Sequence, residues 1–281
     1  MRQSRARQRV RPAGELKRTA NTYREQPVRD VPRPGLYNGP STAPKFVPIR
    51  IQETTATHCF SVCLYREPEY KPKSRDRMFE ARFLSHWRTT RALLESDGIA
   101  LNIFCDREML ETALALGYGS VFLVVDPPKF AFDQHIWRYL SALLPEHPTI
   151  KCYHFRGMDN IVRLDLERPL WAALEAGEVN VIHAPYLAVK MQKLMPVRGS
   201  FSASGISLEY LARWINSSER RCRETETERW HSDELWLKEW WDKDGMNLTP
   251  LTVVDRALPA AWIRELIERM EAGGRFQVVH I

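Results

Sequence analysis

The run from Lys151 to Asn160, which reads KCYHFRGMDN, joins a β-strand pattern to a carboxylate. Its first half is apolar and β-prone, and the strand pattern stops at Asp159. In α/β proteins, the carboxyl ends of parallel strands form the edge at which ligands and metals bind. The run therefore predicts that Asp159 binds a ligand or a metal ion. The alternative is an aspartate that caps the turn together with Asn160.

Two arginines and a histidine could assist such a site. Arg156 ends the predicted strand and Arg138 follows an aromatic residue on a predicted helix, so both could donate charge-assisted hydrogen bonds to a diphosphate. His183 ends a later strand and could contact a metal ion or a phosphate. The alternatives are structural ion pairs for the arginines and a position at the edge of the core for the histidine.

Two later segments carry further candidates. Asp233 follows Ser232, a plausible N-cap, and could act as a general base or bind an acceptor hydroxyl. It could equally stabilise the dipole of its helix. The run 198–205, RGSFSASG, is interpreted as a flexible loop whose backbone N–H groups, with Ser204 among them, could contact phosphate or sugar. An ordinary loop is the alternative.

Short β-prone runs and helical patterns alternate from residue 58 onward, which predicts an α/β protein with a mostly parallel sheet covered by helices on both faces. The predicted strands are His58–Tyr65, Ile99–Phe104, Ser120–Val125, Lys151–Arg156, Val179–His183, Leu251–Val254 and Phe276–His280. The predicted helices are Met78–Glu95, Arg107–Leu116, Phe132–Leu144, Leu166–Ala176, Leu208–Asn216, Asp233–Trp241 and Ala260–Ala272.

Several pieces of the chain, in order, resemble glycosyltransferases of the GT-A fold, and they include Leu170–Gly177 and Asn180–His183, which are similar to the helix and strand that follow the metal-site strand. FSVCLY at Phe60–Tyr65 resembles their opening strand, and LNIFCD at Leu101–Asp106 resembles their second strand. WRY at Trp137–Tyr139 resembles the helix that leads into their metal-site strand, and SDELWL at Ser232–Leu237 resembles a later helix. The resemblance covers about residues 58–254, and it is carried by the order of the pieces.

The resemblance implies a GT-A-like, Rossmann-like domain that transfers a sugar from a nucleotide-diphosphate donor. A divalent ion, Mn²⁺ or Mg²⁺, would neutralise the charge that gathers on the leaving diphosphate. The residues that it assigns are Asp159 and His183 as metal ligands, Arg138, Arg156, Asp159 and Ser204 as donor-binding residues, and Asp233 as the catalytic residue near the acceptor.

The sequence departs from the family pattern at the predicted metal site. Such enzymes have an Arg-Asp-x-Asp segment, whereas this chain reads Arg156-Gly157-Met158-Asp159. Ala184 stands where another aspartate is often found. A single carboxylate together with substrate phosphates can hold a hydrated ion, but more weakly. The pattern is therefore also compatible with a member of the family that has lost its activity.

Positive charge is concentrated at the start of the chain. Residues 1–45 hold nine Arg and two Lys against three acidic residues, a net charge of +8 within a total of +6. Residues 1–48 contain seven prolines and little apolar clustering, so they form an extended or disordered basic arm that precedes a single domain at 49–281. Any attraction to nucleic acid, anionic lipid or an acidic protein belongs to this arm.

Composition narrows the classes of protein to which the chain could belong. An apolar content of 44% predicts a folded body, and no run reaches the ~20 apolar residues of a membrane span. Five cysteines, mostly inside predicted strands, indicate reduced core thiols, and a cytoplasmic location is expected.

Two functions remain open. The first is a glycosyltransferase that binds a nucleotide sugar. The second is a catalytically silent, GT-A-like assembly protein, for example a component of a virion or nucleoprotein particle, anchored through the basic arm. A transferase acting on nucleic acid ranks below both.

Overall fold

The computed structural model describes residues 43–65, 87–126, 133–157, 164–183, 186–188, 193–195, 200–217, 236–237, 240–241, 248, 250–254 and 277–280. Nine strands of this part form one sheet, in the order β1-β4-β3-β2-β5-β9-β6-β10-β11. They are β1 (Phe46–Arg50), β2 (His58–Leu64), β3 (Ala100–Cys105), β4 (Ser120–Val124), β5 (Cys152–Phe155), β6 (Val181–His183), β9 (Phe201–Ser204), β10 (Pro250–Val254) and β11 (Gln277–His280). Strands β7 (Tyr186–Ala188) and β8 (Lys193–Met195) pair separately as an antiparallel ladder.

The sheet is mostly parallel. Strands β4, β3, β2 and β5 are parallel neighbours, and so are β6, β10 and β11. Strand β9 runs antiparallel between β5 and β6, and β1 runs antiparallel along β4 at the edge. All seven residues of β2 are buried, as expected for a central strand with both faces covered. The prediction of an α/β protein with a mostly parallel sheet is confirmed.

Helices cover both faces of the sheet. One apolar cluster joins the 3₁₀-helix η1 (Asp133–Leu143) and α4 (Ile206–Ser217) to the face that carries Cys59, Cys63 and Phe104. The other cluster joins α1 (described over 87–96), α2 (Leu110–Ala115) and α3 (Leu164–Glu175) to the face that carries Phe60, Val62 and Leu64. Helical backbone at 236–237 and 240–241 falls within the predicted helix Asp233–Trp241, and 260–272 lies outside the described residues.

The segment Asp133–Leu143 was predicted as an α-helix, but it is a 3₁₀-helix. Two of its carbonyl groups accept hydrogen bonds from side chains. Arg138 Nε donates to the carbonyl of His135 at 2.8 Å, and Ser61 Oγ donates to the carbonyl of Arg138 at 2.5 Å. These donors compete with the backbone N–H groups that would complete an α-helical ladder.

The edge strand β1 was not predicted, and it begins inside the region assigned to the basic arm. Pro48 is tolerated there because an edge strand leaves some N–H groups unpaired. Arg50 anchors the strand: its guanidinium donates to the carbonyls of Gly119, Leu114 and Tyr118 at 2.8, 3.2 and 2.7 Å. The strand is therefore fixed to the C-terminal end of α2, where a cation is favourable.

The cysteines of the described region lie in the core. Cys59, Cys63, Cys105 and Cys152 are buried and free, as predicted, whereas Cys222 lies outside the described residues. Burial raises the pKa of Cys105 and of Cys152 to about 12, so both thiols are protonated and unreactive at neutral pH. Within the described residues, no helix has the length and apolarity needed to cross a bilayer.

Candidate functional site

The carboxyl ends of β3, β2 and β5 lie side by side. The chain passes from β2 outward to β3 and β4, and then returns to β5 on the other side of β2. At such a reversal the loops on either side separate, which opens a crevice outside the carboxyl ends of the two strands. Tyr65 follows β2 and Arg156 follows β5, so these two residues mark the crevice.

Aromatic rings and a glycine lie at the described ends of β2 and β5. The Tyr65 ring lies 5.7 Å from that of His135 and 6.1 Å from that of Trp137, measured between centroids. Gly157 is buried, and its N–H donates to Ser200 Oγ at 3.5 Å. Strand β9 therefore begins beside the end of β5, because the two strands are antiparallel.

The guanidinium of Arg156 folds back onto the end of the sheet. Nη1 donates to the carbonyls of Phe155 and Phe201 at 2.9 Å each, and Nη2 donates to Ser202 Oγ at 3.2 Å. The guanidinium carbon lies 5.5 Å from the centroid of the Phe60 ring. The side chain is only 8% exposed, so its charge is held in a largely dry environment at the end of β5.

A chain of hydrogen bonds runs from this arginine along one face of the sheet to the surface. Ser202 Oγ lies 2.7 Å from His154 Nδ1, and His154 Nε2 lies 2.9 Å from His58 Nδ1. His58 Nε2 lies 2.7 Å from Glu175 Oε1. We call Arg156, Ser202, His154, His58 and Glu175 the histidine chain.

The two ends of the histidine chain set its direction. A guanidinium only donates and a carboxylate only accepts. With both rings neutral, His58 Nε2 donates to Glu175, His154 Nε2 donates to His58 Nδ1, and the Ser202 hydroxyl donates to His154 Nδ1. Every proton then has an acceptor, and the chain connects a buried cation to a half-exposed carboxylate.

The environment of His154 keeps its ring neutral. Burial, then the nearby guanidinium of Arg156, then His58 lower the pKa of His154 well below the ordinary histidine value. The indole of Trp171 stacks on both rings, with centroids 4.2 Å from His154 and 4.5 Å from His58.

Arg138 lies on the opposite face of the sheet. Its Nε donates to the carbonyl of His135 at 2.8 Å, and its guanidinium carbon lies 5.6 Å from the centroid of the neighbouring Tyr139 ring. The residue is 8% exposed. Both candidate arginines are thus buried and bonded to backbone carbonyls, and contact of either with a diphosphate stays a prediction.

A second chain of hydrogen bonds ends at the backbone of Arg138. Ser61 Oγ donates to the Arg138 carbonyl at 2.5 Å and lies 2.7 Å from Ser141 Oγ. Asn102 Nδ2 donates to Ser141 Oγ at 3.0 Å. We call Asn102, Ser141, Ser61 and this carbonyl the serine chain. Because the Ser61 proton goes to the carbonyl, Ser141 must donate to Ser61 and accept from Asn102.

The structure places Ser204 away from the predicted site. Strand β9 is antiparallel, so Ser204 pairs with Cys152 at the amino edge, while Phe201 pairs with Phe155 at the carboxyl edge. The N–H of Ser204 donates to the carbonyl of Asn180 at 3.0 Å. The expected flexible loop is thus a buried strand over Phe201–Ser204, and it is Ser200 that lies beside Gly157.

The remaining predicted residues are described only in part. The backbone of His183 ends β6 next to β9, as predicted from its position at the end of a strand. Asp159 and Asp233 lie outside the described residues, so their roles stay predictions.

The described residues do not provide a metal site by themselves. No three His, Cys, Asp or Glu side chains among them come together as metal ligands would. At the described end of β5, a guanidinium would repel a cation and Gly157 has no side chain to offer. We therefore derive no chemical step through a metal ion.

The histidine chain was not predicted from the sequence. His58 and His154 were assigned to strands, but their contact depends on the parallel register of β2 and β5, which pairs Phe60 with His154. A usable signal was present: each histidine stands in a run that predicts a buried strand, where an imidazole needs a hydrogen-bond partner.

Comparison with protein-family models finds no match for this chain, and comparison with curated proteins finds none either.

Proposed function

We propose that this protein is a GT-A-like glycosyltransferase that binds a nucleotide-diphosphate sugar in the crevice between β2 and β5. The observation that carries the proposal is the reversal of strand order at these two strands. Three pieces of the family resemblance fall on this part of the sheet. The pieces at 60–65 and 101–106 lie on β2 and β3, and the strand that leads to Asp159 is β5. Their carboxyl ends share one edge, where a nucleotide is bound in folds of this class.

The buried charge of Arg156 supports an anionic ligand. Arg156 ends β5 as a buried cation, and burial strengthens its field in the crevice compared with a solvated arginine. The hydrogen bonds to Phe155, Phe201 and Ser202 fix the position of the guanidinium, so binding an anion nearby requires little reorganisation.

Chemistry at the site rests on residues that stay predictions. In the proposed arrangement Asp159 and His183 would hold Mn²⁺ or Mg²⁺, which would neutralise the diphosphate, and Asp233 would accept the proton of the acceptor hydroxyl. Gly157, where the family has a carboxylate, implies a weaker hold on the ion than in a site with two carboxylates.

Calorimetric titration of the full chain with UDP-glucose and GDP-mannose, with and without Mn²⁺, tests this proposal. We expect saturable binding of one donor that Asp159→Asn weakens at least tenfold in the presence of Mn²⁺. Glu178→Gln removes a carboxylate from an exposed position after α3 and should leave the affinity unchanged. Absence of donor binding at millimolar concentration under both conditions would exclude the enzymatic function.

A second candidate function is that of a catalytically silent assembly protein. The specific observation in its favour is that the described end of β5 offers no carboxylate, because Gly157 stands there, while both candidate arginines are bonded to backbone carbonyls. In this case the basic arm supplies the affinity for an anionic or protein partner.

Replacing Arg2, Arg5, Arg7, Arg9 and Arg11 by serine in the full chain separates the two functions. A free enzyme keeps its turnover in this variant. An assembly protein loses the salt-sensitive part of its partner affinity, measured by co-sedimentation at two salt concentrations. Partner binding that responds to neither the substitutions nor the salt would exclude the assembly function.

A further inference from the structure

A cavity of about 620 Å³ lies at the amino edge of the parallel strands, at the other end of the sheet from the candidate site. Ala100 and Ser120, the first residues of β3 and β4, contribute to its wall. The strand β1 and the segment 143–150 after η1 close its sides. Its volume falls within the range of 300–1,000 Å³ that is typical of small-molecule sites.

The wall of this cavity is apolar and rigid. The rings of Phe46, Phe122 and Tyr153 line it, and Phe46 packs edge-on against Phe122 with centroids 5.8 Å apart. Four prolines also line it: Pro44, Pro48, Pro145 and Pro148. Proline loses no side-chain entropy on ordering, so a ligand meets a wall that is already formed.

No buried charge faces the cavity from the described residues. Its charged lining residues, Lys45 and Glu146, are exposed at the rim. His147 also lines it, and its Nδ1 accepts from the N–H groups of Thr149 and Ile150 at 3.3 Å. A charged ligand would lose its hydration here without gaining a counter-charge, so the cavity selects for a neutral molecule.

One polar atom in the lining has a fixed role. In the serine chain the amide nitrogen of Asn102 must donate to Ser141, so the amide orientation is set and Oδ1 is the outer acceptor. Within the described part of the chain, Oδ1 receives no hydrogen bond. Asn102 is 5% exposed and lines the cavity, so a ligand with an O–H or N–H group can supply the missing donor.

We propose that this cavity binds a neutral, mostly apolar ring compound that donates one hydrogen bond to Asn102 Oδ1. The aromatic wall accounts for the ring, the absence of buried charge accounts for neutrality, and the serine chain accounts for the donor group. The proposal is independent of the glycosyltransferase function, because it uses neither Asp159 nor Tyr65, Arg156 or Gly157 at the crevice between β2 and β5.

The test uses the full chain and two neutral probes, 2-naphthol and naphthalene, with fluorescence titration as the readout. Transfer from water alone favours naphthalene, because it lacks a hydroxyl group. Tighter binding of 2-naphthol therefore requires a hydrogen bond to the protein. We expect 1:1 binding with a preference of about tenfold for 2-naphthol, and binding of anionic 2-naphthoate weaker than that of 2-naphthol by at least as much. Equal affinity for the two neutral probes, or no binding, would overturn the proposal.

Two pairs of variants locate the binding site. Asn102→Leu removes the acceptor and should abolish the preference for 2-naphthol. Ser141→Ala breaks the same Asn102–Ser141 hydrogen bond but retains the acceptor, so the preference should remain. A preference that persists in Asn102→Leu overturns the assignment to Oδ1.

The second pair remains informative if Asn102→Leu fails to fold. Ile51 lines the mouth of the cavity at 56% exposure, so Ile51→Trp should narrow the mouth and weaken binding of both neutral probes at least fivefold. Glu53→Trp adds the same bulk two residues away, at an exposed position outside the lining, and should leave binding unchanged. Equal effects of the two tryptophans would place the probe elsewhere and overturn the proposal.

Discussion

The histidine chain and the serine chain lie on opposite faces of the central strand β2. His58 and Ser61 point to opposite sides because successive side chains of a strand alternate. The histidine chain holds a cation, two imidazoles and a carboxylate, whereas every group of the serine chain is neutral between pH 4 and 9. The histidine chain therefore contains groups that titrate in this interval, and the serine chain does not.

Both chains also touch a candidate arginine, but in different ways. The histidine chain begins at the guanidinium of Arg156, whereas the serine chain ends at the backbone carbonyl of Arg138. A change in the histidine chain therefore acts on a charge at the crevice, while a change in the serine chain acts on the backbone of η1. The following experiments separate the two chains by stability and by pH.

The largest effect is expected from His154→Ala. The substitution removes a fully buried ring, its stacking on Trp171 and two hydrogen-bond partners, and leaves Ser202 and His58 without them. We expect a loss of about 3 kcal/mol or more in the free energy of unfolding, measured by urea denaturation. Ser141→Ala in the serine chain should cost about 1 kcal/mol. Equal losses would show that the ring contributes no more than a hydroxyl group.

The second prediction concerns pH. The folded-state pKa of His154 lies below its unfolded value, so the unfolded chain binds more protons in acid. The resulting stability is complete above about pH 6.5 and is lost as the pH falls below that value, with a slope of up to about 1.4 kcal/mol per pH unit. His154→Gln should flatten the profile of unfolding free energy between pH 6.5 and 5, and Ser141→Ala should not. A wild-type profile that is flat over this interval would contradict the prediction.

The central strands of the sheet were predictable from the sequence. Strands β2, β3, β4 and β5 all fall within one residue of their predicted bounds, because each is a short apolar run with β-prone residues and a clear boundary. Gly117 ends α2 with φ at +70°, as its position after the predicted helix indicated. Local patterns of this kind need no knowledge of tertiary contacts.

The elements that escaped prediction depend on partners elsewhere in the fold. Strand β9 reads FSAS, and its serines suggested a loop, but the strand alternates Phe201 and Ala203 toward the face of η1 and α4 with Ser202 and Ser204 toward the face of α3. The buried Ser202 hydroxyl has His154 and Arg156 as its hydrogen-bond partners. The histidine chain needs three strands in register, a relation that single-sequence patterns do not contain.

The third prediction compares one serine from each chain. Ser202→Ala removes the acceptor of Arg156 Nη2 and the donor to His154 Nδ1, and it leaves a buried charged group partly unpaired. We expect a loss of about 2 kcal/mol in the free energy of unfolding, against about 1 kcal/mol for Ser61→Ala, whose partners are neutral. Denaturation at pH 7.5 measures both. A larger loss in the free energy of unfolding for Ser61→Ala than for Ser202→Ala would contradict the prediction.

The smallest effect is expected at the outer end of the histidine chain. Glu175 accepts from His58 Nε2 at 2.7 Å, but its side chain is 45% exposed, so solvent screens the charge. Glu175→Gln retains a side-chain oxygen that can accept the same hydrogen bond, and we expect a loss below about 0.5 kcal/mol at pH 7.5. The direction of the hydrogen bonds in the histidine chain requires only an acceptor at this end. Glu175→Leu, which has no acceptor, should therefore lose more unfolding free energy than Glu175→Gln. Equal losses for the two variants would indicate that the carboxylate charge, rather than hydrogen bonding, orients the imidazoles.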